Sequence, residues 1–189
     1  MAEVKVLIKG FTNADSTANA DAEEKSCATI TLVRDKDIVM IVDPGVLDDQ
    51  RILVDKLKGE GLNINDVNYV CLTHSHIDHF ANVGMFPKAR ILEFFGIWKG
   101  GICDEWKENF SKDIKIIKTP GHDKTGITLL VKTDDGIVAI CGDVFWKEDS
   151  PMEDPYADAP KKLIESRKKV LKLADWIIPG HADIYKVEK

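Results

Sequence analysis

Hydrophobic and polar positions alternate with two different periods along the chain, and the switches between them predict its elements. Val4 to Lys9 reads as a first strand. It is followed from Thr12 to Ser26 by a polar stretch of Asn, Asp, Ser, Thr and Ala with neither a strand nor a helix period. Strands are predicted again over Cys27 to Arg34 and Ile38 to Val42, joined by the charged turn Asp35-Lys36-Asp37. Asp48 is placed to cap a helix from Asp49 to Lys58, where Ile52, Leu53 and Leu57 recur at helical spacing and Gly59 or Gly61 ends the run. Tyr69-Val70-Cys71-Leu72-Thr73 is almost wholly apolar, the pattern of a short strand buried on both faces. Further strands are expected over Ala89 to Leu92, Ile114 to Lys118, Ile127 to Lys132 and Ile137 to Cys141, the last two joined by a hairpin turn at Asp134-Asp135-Gly136. A helix from about Ala159 to Leu173 is expected to turn Leu163, Ile164, Val170, Leu171 and Leu173 inward, before a final strand at Trp176-Ile177-Ile178. Two strand-rich halves, each closing with a helix, fit a sandwich with its helices outside.

Composition narrows the class. The 189 residues, 44% hydrophobic and 31% charged, suit one globular domain over residues 1–189. A net charge of -6 argues against a surface that binds nucleic acid all over. The first nine residues are interrupted by charge and lack the apolar core of a signal peptide, and no run approaches the roughly 18 apolar residues that would span a membrane. Cys27, Cys71, Cys103 and Cys141 show no Cys-x-x-Cys spacing. The expectation is a cytoplasmic protein with free thiols and no membrane contact.

The histidines change the picture most. Three of the five fall in His74-Ser75-His76-Ile77-Asp78-His79, directly after the buried strand. In extended chain His74, His76 and Asp78 project to one side, and four ligating side chains in six residues suit two ions about 3.5–4 Å apart better than one. The other two end Thr119-Pro120-Gly121-His122 and Pro179-Gly180-His181, each where a strand stops, so that proline and glycine aim the ring. Ile140-Cys141-Gly142-Asp143 ends a strand with an acid in the same way. A lone Pro-Gly-His is usually only a turn, whereas these clusters in this order are specific.

With Val42-Asp43-Pro44-Gly45 added, these stretches resemble the metallo-β-lactamase superfamily through nearly the whole chain. The resemblance implies an α/β (α+β) fold, the four-layer αββα sandwich, with a dinuclear metal site at one edge. It implies one ion held by His74, His76 and His122 and another by Asp78, His79 and His181. Asp143 would bridge them, and Asp43 would steady the ligand loop by hydrogen bonds. A narrower likeness, from Gly142-Asp143-Val144-Phe145 through Glu165–Leu171 to His181, is to a branch of that superfamily associated with nuclease activity.

Imidazole and carboxylate donors suit Zn²⁺, with Fe and Mn also compatible, and no thiol belongs to the set: Cys141 is expected in the core. Two divalent ions lower the pKa of bound water from about 16 to about 7, giving hydroxide at neutral pH, and Asp78 is expected to orient that water and take its proton. All five histidines are consumed as ligands, so none remains to protonate a poor leaving group. The favoured reaction is hydrolysis of a small-molecule ester, thioester or lactone. A phosphodiesterase or RNA-cleaving nuclease is the alternative, and an iron-dependent redox enzyme resembling sulfur dioxygenases is a further one. Lys161, Lys162, Arg167, Lys168 and Lys169 read as the solvated face of the second helix, with nucleic acid as the competing partner. Phe94, Phe95, Trp98 and Trp106 read as core, a pocket wall or a homodimer contact. Thr12 to Ser26 is expected to be a substrate-contacting flap, and Asp149, Glu153, Asp154 and Asp158 to rim the site with negative charge.

Overall fold

In a computed structural model of the chain, which describes residues 1–14, 23–151 and 153–188, the apolar runs form two sheets facing one another. Strand β1 (Glu3–Ile8) leads through a two-stranded ladder, β2 (Phe11–Thr12) and β3 (Ser26–Cys27), into the hairpin β4 (Ile30–Asp35) and β5 (Ile38–Val42). Helix α1 (Arg51–Gly59) precedes β6 (Tyr69–Cys71), the single turn α2 (Ile77–Phe80), β7 (Arg90–Leu92) and the hairpin β8 (Ile97–Lys99) and β9 (Ile102–Asp104). The second half runs β10 (Ile114–Lys118), β11 (Ile127–Thr133), β12 (Gly136–Ile140), α3 (Pro160–Leu173), β13 (Trp176–Ile178) and β14 (Tyr185–Lys186). The sheets have the orders β1-β4-β5-β6-β7-β8-β9 and β10-β11-β12-β13-β14.

The core falls into three layers, as four stacked layers of structure require. Strands β5 and β12 show why their runs are apolar throughout. Met40 and Val42 point between the sheets and Ile41 outward to Leu53 and Leu57 of α1. Val138 and Ile140 likewise point between the sheets, while Ala139 meets Leu163 and Val170 of α3. Both faces are dry, so the period-2 alternation that marks a half-exposed strand disappears. The fold is an α+β sandwich with a helix outside each sheet.

Strand direction positions everything that follows. β5, β6 and β7 are mutually parallel, as are β12 and β13. β10 runs with β12, because both are antiparallel to β11. The chain therefore leaves β5, β6, β10, β12 and β13 through the segments that carry Asp43, His74, His122, Asp143 and His181. Thr73 carbonyl oxygen accepts from the Ile127 amide at 2.8 Å, joining the two sheets beside these ends.

Several expectations shift. Helix α1 begins with Gln50 as its N-cap and no side-chain cap. Asp49, rather than Asp48, accepts from the Arg51 amide at 2.9 Å. Ile52 is 47% exposed and belongs to the solvent face. In α3, Leu163, Ser166 and Val170 form the buried stripe, whereas Ile164 and Leu171, expected inward, are exposed. Seven residues apart, Ile164 and Leu171 share a face rotated about 100° from that stripe. The polar stretch Thr12 to Ser26 has its ends paired in β2 and β3, while residues 15–22 lie outside the described residues. The hairpin β8–β9 adds two strands to those expected, turning at Gly100-Gly101 with φ of 57° and 82°.

The two faces of α3 should separate in a stability measurement. Leu163→Ala is expected to cost about 2–5 kcal/mol, and Leu171→Ala no more than about 0.5 kcal/mol. Urea unfolding of the two variants checks this; equal costs would refute the helix orientation.

Candidate metal centre

All seven side chains singled out from the histidine and Gly-Asp motifs meet at the strand ends. They form two groups, His74, His76, His122 and Asp143 in one and Asp78, His79 and His181 in the other, with donor atoms of each group within 4.8 Å of one another. In the first, His76 Nδ1 lies 3.1 Å from His74 Nε2 and 2.9 Å from His122 Nε2. In the second, His181 Nε2 lies 3.6 Å and His79 Nε2 4.0 Å from Asp78 Oδ2. Asp143 stands between them: Oδ1 is 3.2 Å from His79 Nε2, and Oδ2 is 3.1 Å from His181 Nε2 and 3.3 Å from His122 Nε2.

The remote ring nitrogens say which atoms carry lone pairs. His79 Nδ1 is 2.8 Å from Asp43 Oδ2, His122 Nδ1 is 2.7 Å from Asp154 Oδ2, and His181 Nδ1 is 3.1 Å from the Cys27 carbonyl oxygen. Carboxylate and carbonyl oxygens can only accept, so each of these Nδ1 atoms carries a proton, and in the neutral ring that binds metal each Nε2 presents a lone pair. Thr73 donates to Asp43 Oδ2 at 2.6 Å, so its oxygen is left to accept from His74 Nδ1 at 3.1 Å. His76 alone turns Nδ1 inward.

Donor atoms facing donor atoms at these distances repel unless a cation lies among them. His79 Nε2 and Asp143 Oδ1 are buried and have no hydrogen-bond partner. Separations near 3 Å match the edges of a tetrahedron whose metal–nitrogen bonds are about 2.0–2.1 Å. The donor set, imidazole and carboxylate without sulfur, suits divalent metal ions. The residues present therefore fit the group that the motifs imply. Electrostatics agree. Burial pushes the His74 and His76 imidazoles down. Against burial, the Asp143 and Asp43 carboxylates hold His79 well up, and His79 and His181 hold Asp143 well down. The site demands positive charge at its centre.

Glycine is required here by close approach. A Cβ on Gly180 would run into Asp143 Oδ1, and one on Gly142, at φ 50°, into Thr73 Oγ1. At Gly180 the backbone is not in the left-handed region, so glycine is needed in this turn to admit the carboxylate rather than to reach a positive φ.

Other residues of the centre escaped the sequence reading. Asp123 accepts from Ser75 Oγ at 2.5 Å and from the Thr125 amide at 2.7 Å, pinning the His74–His79 loop to the turn that carries His122. Despite burial, these bonds keep its carboxyl below the usual carboxylate range. Ser26 donates to Asp78 Oδ2 at 2.6 Å. Their contacts span 48 and 52 residues, so no local pattern announces them.

A cavity of about 520 Å³ opens over the two groups. Its polar floor is His76, Asp78, His122, Asp143 and His181, and its walls are Thr12, Ala14, Glu24, Ser26, Val46, Ile77, Trp146 and Tyr156. The ends of the Thr12 to Ser26 stretch thus line the cavity. The aromatic wall is Trp146 and Tyr156, stacked at 5.9 Å between centroids, not the Phe94–Trp106 segment. Phe94 and Trp106 pack on the core, and Phe95 and Trp98 are exposed away from the cavity. The expected acidic rim is corrected too. Asp149, Glu153 and Asp158 do not line the cavity, and Asp154 is engaged with His122. Cys141 is buried in the α3-side core, where burial pushes its thiol up. Arg167 is half-buried and donates to the Val144 and Pro151 carbonyls, so it does not belong to the solvated basic face.

Comparison with known proteins places this centre in a family. The model of the metallo-β-lactamase superfamily matches residues 28–99. Metallo-β-lactamase domain-containing protein 1 of Xenopus laevis is 30% identical over 98% of this chain and 82% of its own length. The chain spans only 59–63% of the mouse, rat and human proteins of that name. A probable metallo-hydrolase of Methanocaldococcus jannaschii is 31% identical over 79% of this chain and 74% of its own. Among solved structures, a candidate metallo-β-lactamase of Thermotoga maritima superposes with a TM-score of 0.74 at 22% identity, covering 98% of this chain and 99% of that one. An N-acyl homoserine lactone hydrolase, with N-hexanoyl-L-homoserine at its catalytic metal centre, gives 0.69 at 16%, covering 95% and 92%. The chain belongs to the metallo-β-lactamase superfamily and is a metal-dependent hydrolase.

Because Gly180 makes room for Asp143, Gly180→Ala is expected to lower bound metal to one ion per chain or fewer in a protein that still folds. Elemental analysis beside a thermal melt checks this; wild-type metal content would remove the steric argument.

Proposed function

We propose that the chain binds two divalent ions, zinc being the first choice, and hydrolyses a small uncharged ester, thioester or lactone. His74, His76 and His122 would hold one ion, Asp78, His79 and His181 the other, and Asp143 would contact both. When bound, the ions supply Lewis acidity and bring water to a pKa of about 7. The chain's own residues do the rest. Asp78, 19% exposed on its side chain and open to the cavity, orients the attacking water and takes up its proton on the carboxylate oxygen that Ser26 does not hold. Ser26 fixes that carboxylate by its 2.6 Å hydrogen bond. Val46, Ile77, Trp146 and Tyr156 exclude water from the acyl or ring portion of the substrate.

The observation that carries the substrate class is the charge of the cavity lining. Among the described residues it contains no lysine or arginine, and residues 15–22, Asp-Ser-Thr-Ala-Asn-Ala-Asp-Ala, contain none in sequence. A polyphosphate or carboxylate-bearing substrate would meet Glu24 and Asp78 there with no protein cation to pair with. Lys161, Lys162, Lys168 and Lys169 do not line the cavity, which weighs against the nuclease alternative.

Two measurements test this reading. Asp78→Ala is expected to lower turnover by about 10²–10⁴-fold while the melting temperature shows a folded protein. A rate above one tenth of wild type would remove Asp78 from the mechanism. Across a panel of chromogenic esters, thioesters, lactones and phosphodiesters, kcat/KM should be at least about tenfold higher for neutral substrates than for anionic analogues of equal size. Cleavage of single-stranded RNA, lost in His74→Ala and without any esterase activity, would overturn the proposal in favour of a nuclease.

A further inference from the structure

Among the acids of the loop between Asp143 and α3, Asp154 does not face the cavity but is turned into the protein. The side chain of Asp154 is fully buried. A carboxylate in such a place is costly unless both oxygens are engaged. They are: Oδ2 is 2.7 Å from His122 Nδ1, and Oδ1 accepts from the Tyr156 amide at 2.9 Å.

We infer that Asp154 is a positioning residue that joins the His74–His76–His122 metal group to the aromatic wall of the substrate cavity. The inference rests on the two-ion reading above. His122 and His79 are the two histidines of the centre backed by a carboxylate, one in each group. The backing acids differ in what else they hold. Asp43, at the end of β5, spends its remaining capacity on the Thr73 amide and hydroxyl, inside the ligand scaffold. Asp154 spends its other oxygen on Tyr156, whose ring stacks on Trp146. The Trp146 ring in turn meets His122 edge-on, at 6.0 Å between centroids and 88° between planes. The contacts close a circuit: His122, Asp154, Tyr156, Trp146, His122. The Asp158 and Ala159 amides fasten the far end of the loop to the carbonyls of His122 and Gly121, at 3.0 Å and 2.9 Å.

Within that circuit a change at one point is felt at the others. The Asp154 carboxylate holds the His122 proton on Nδ1 and so keeps Nε2 available as a donor, aimed at the centre. Filling the His122 group with an ion therefore favours the same loop conformation that puts Tyr156 against Trp146. By linkage, a formed wall favours the filled group. Asp154 makes metal loading and formation of the substrate wall one coupled event.

Zn²⁺ added back to chelator-stripped protein, in competition with a chromophoric chelator, measures this directly. Asp154→Asn, which keeps size but loses charge, is expected to bind one of the two ions about 10–100-fold more weakly, with the other ion within threefold. The tryptophan fluorescence change that accompanies loading, assigned to Trp146 by its loss in Trp146→Phe, should be reduced or displaced to the weaker binding step. Wild-type affinity at both ions, equal loss at both, or an unaltered Trp146 signal overturns the inference. Should Asp154→Asn fail to fold, Asp154→Glu, which keeps the charge but displaces it, takes the same test with the same outcomes. Failure of the hydrolase reading shows separately, as wild-type protein that loads two ions yet turns over no ester, thioester or lactone.

Discussion

Five imidazoles and two carboxylates crowd into one edge of a dry sandwich with their lone pairs turned toward each other, and the structure around them exists to hold that unfavourable arrangement. His79 Nε2 and Asp143 Oδ1, buried and without hydrogen-bond partners at 3.2 Å, are its centre. A buried donor or acceptor left unsatisfied costs roughly 1–3 kcal/mol, and several at once would pull a small domain apart. Cations among the lone pairs reverse the sign. Ions bound there would meet that cost, and so would contribute to folding as well as to chemistry.

The scaffold meets this constraint by direction. Running β5, β6, β10, β12 and β13 the same way brings five chain exits to one edge, each where the ladder ends and the backbone is free to turn. The side chains are then locked from behind. Asp43, Thr73, Asp154 and the Cys27 carbonyl each take the remote N–H of a histidine, which removes the alternative tautomer and ring flip together. Asp123 and Ser26 do the same one step further out, for the ligand loop and for Asp78. Glycines 142 and 180 leave the space that these approaches need.

The cavity above the centre inherits its character from this arrangement. With the floor acids gathered in the donor set and no lysine or arginine among the described residues of its walls, the cavity sets apolar and aromatic side chains beside Glu24. Trp146 and Tyr156 are the aromatic part of that surface, and both lie on the loop after Asp143. Arg167 holds the same loop by donating to the Val144 and Pro151 carbonyls. Binding surface and metal centre are accordingly not separate modules set side by side.

What was legible in the sequence is what short-range chemistry dictates. Hydrophobic runs announced the strands, and Ile114–Lys118, Ile38–Val42 and Trp176–Ile178 appear with the expected bounds. The histidine hexapeptide, the two Pro-Gly-His turns and the Gly-Asp motif pointed to the seven side chains that meet, because each ligand sits at a fixed offset from a strand end. Where the decision belonged to packing, sequence patterns misled. Ile164 and Leu171 are as apolar as Leu163, and only the seating of α3 on the second sheet turned them outward. The aromatic density of Phe94–Trp106 suggested a pocket, yet the wall came from Trp146 and Tyr156, ten residues apart and stacked by the course of a loop. Asp123 carried no signal, Asp154 read as one rim acid among four and Ser26 as the end of a flap, until tertiary folding set them beside partners 32 to 52 residues away. A ligand motif is local because backbone geometry aims it; the groups that fix its protons are reached through space, and only the folded chain selects them.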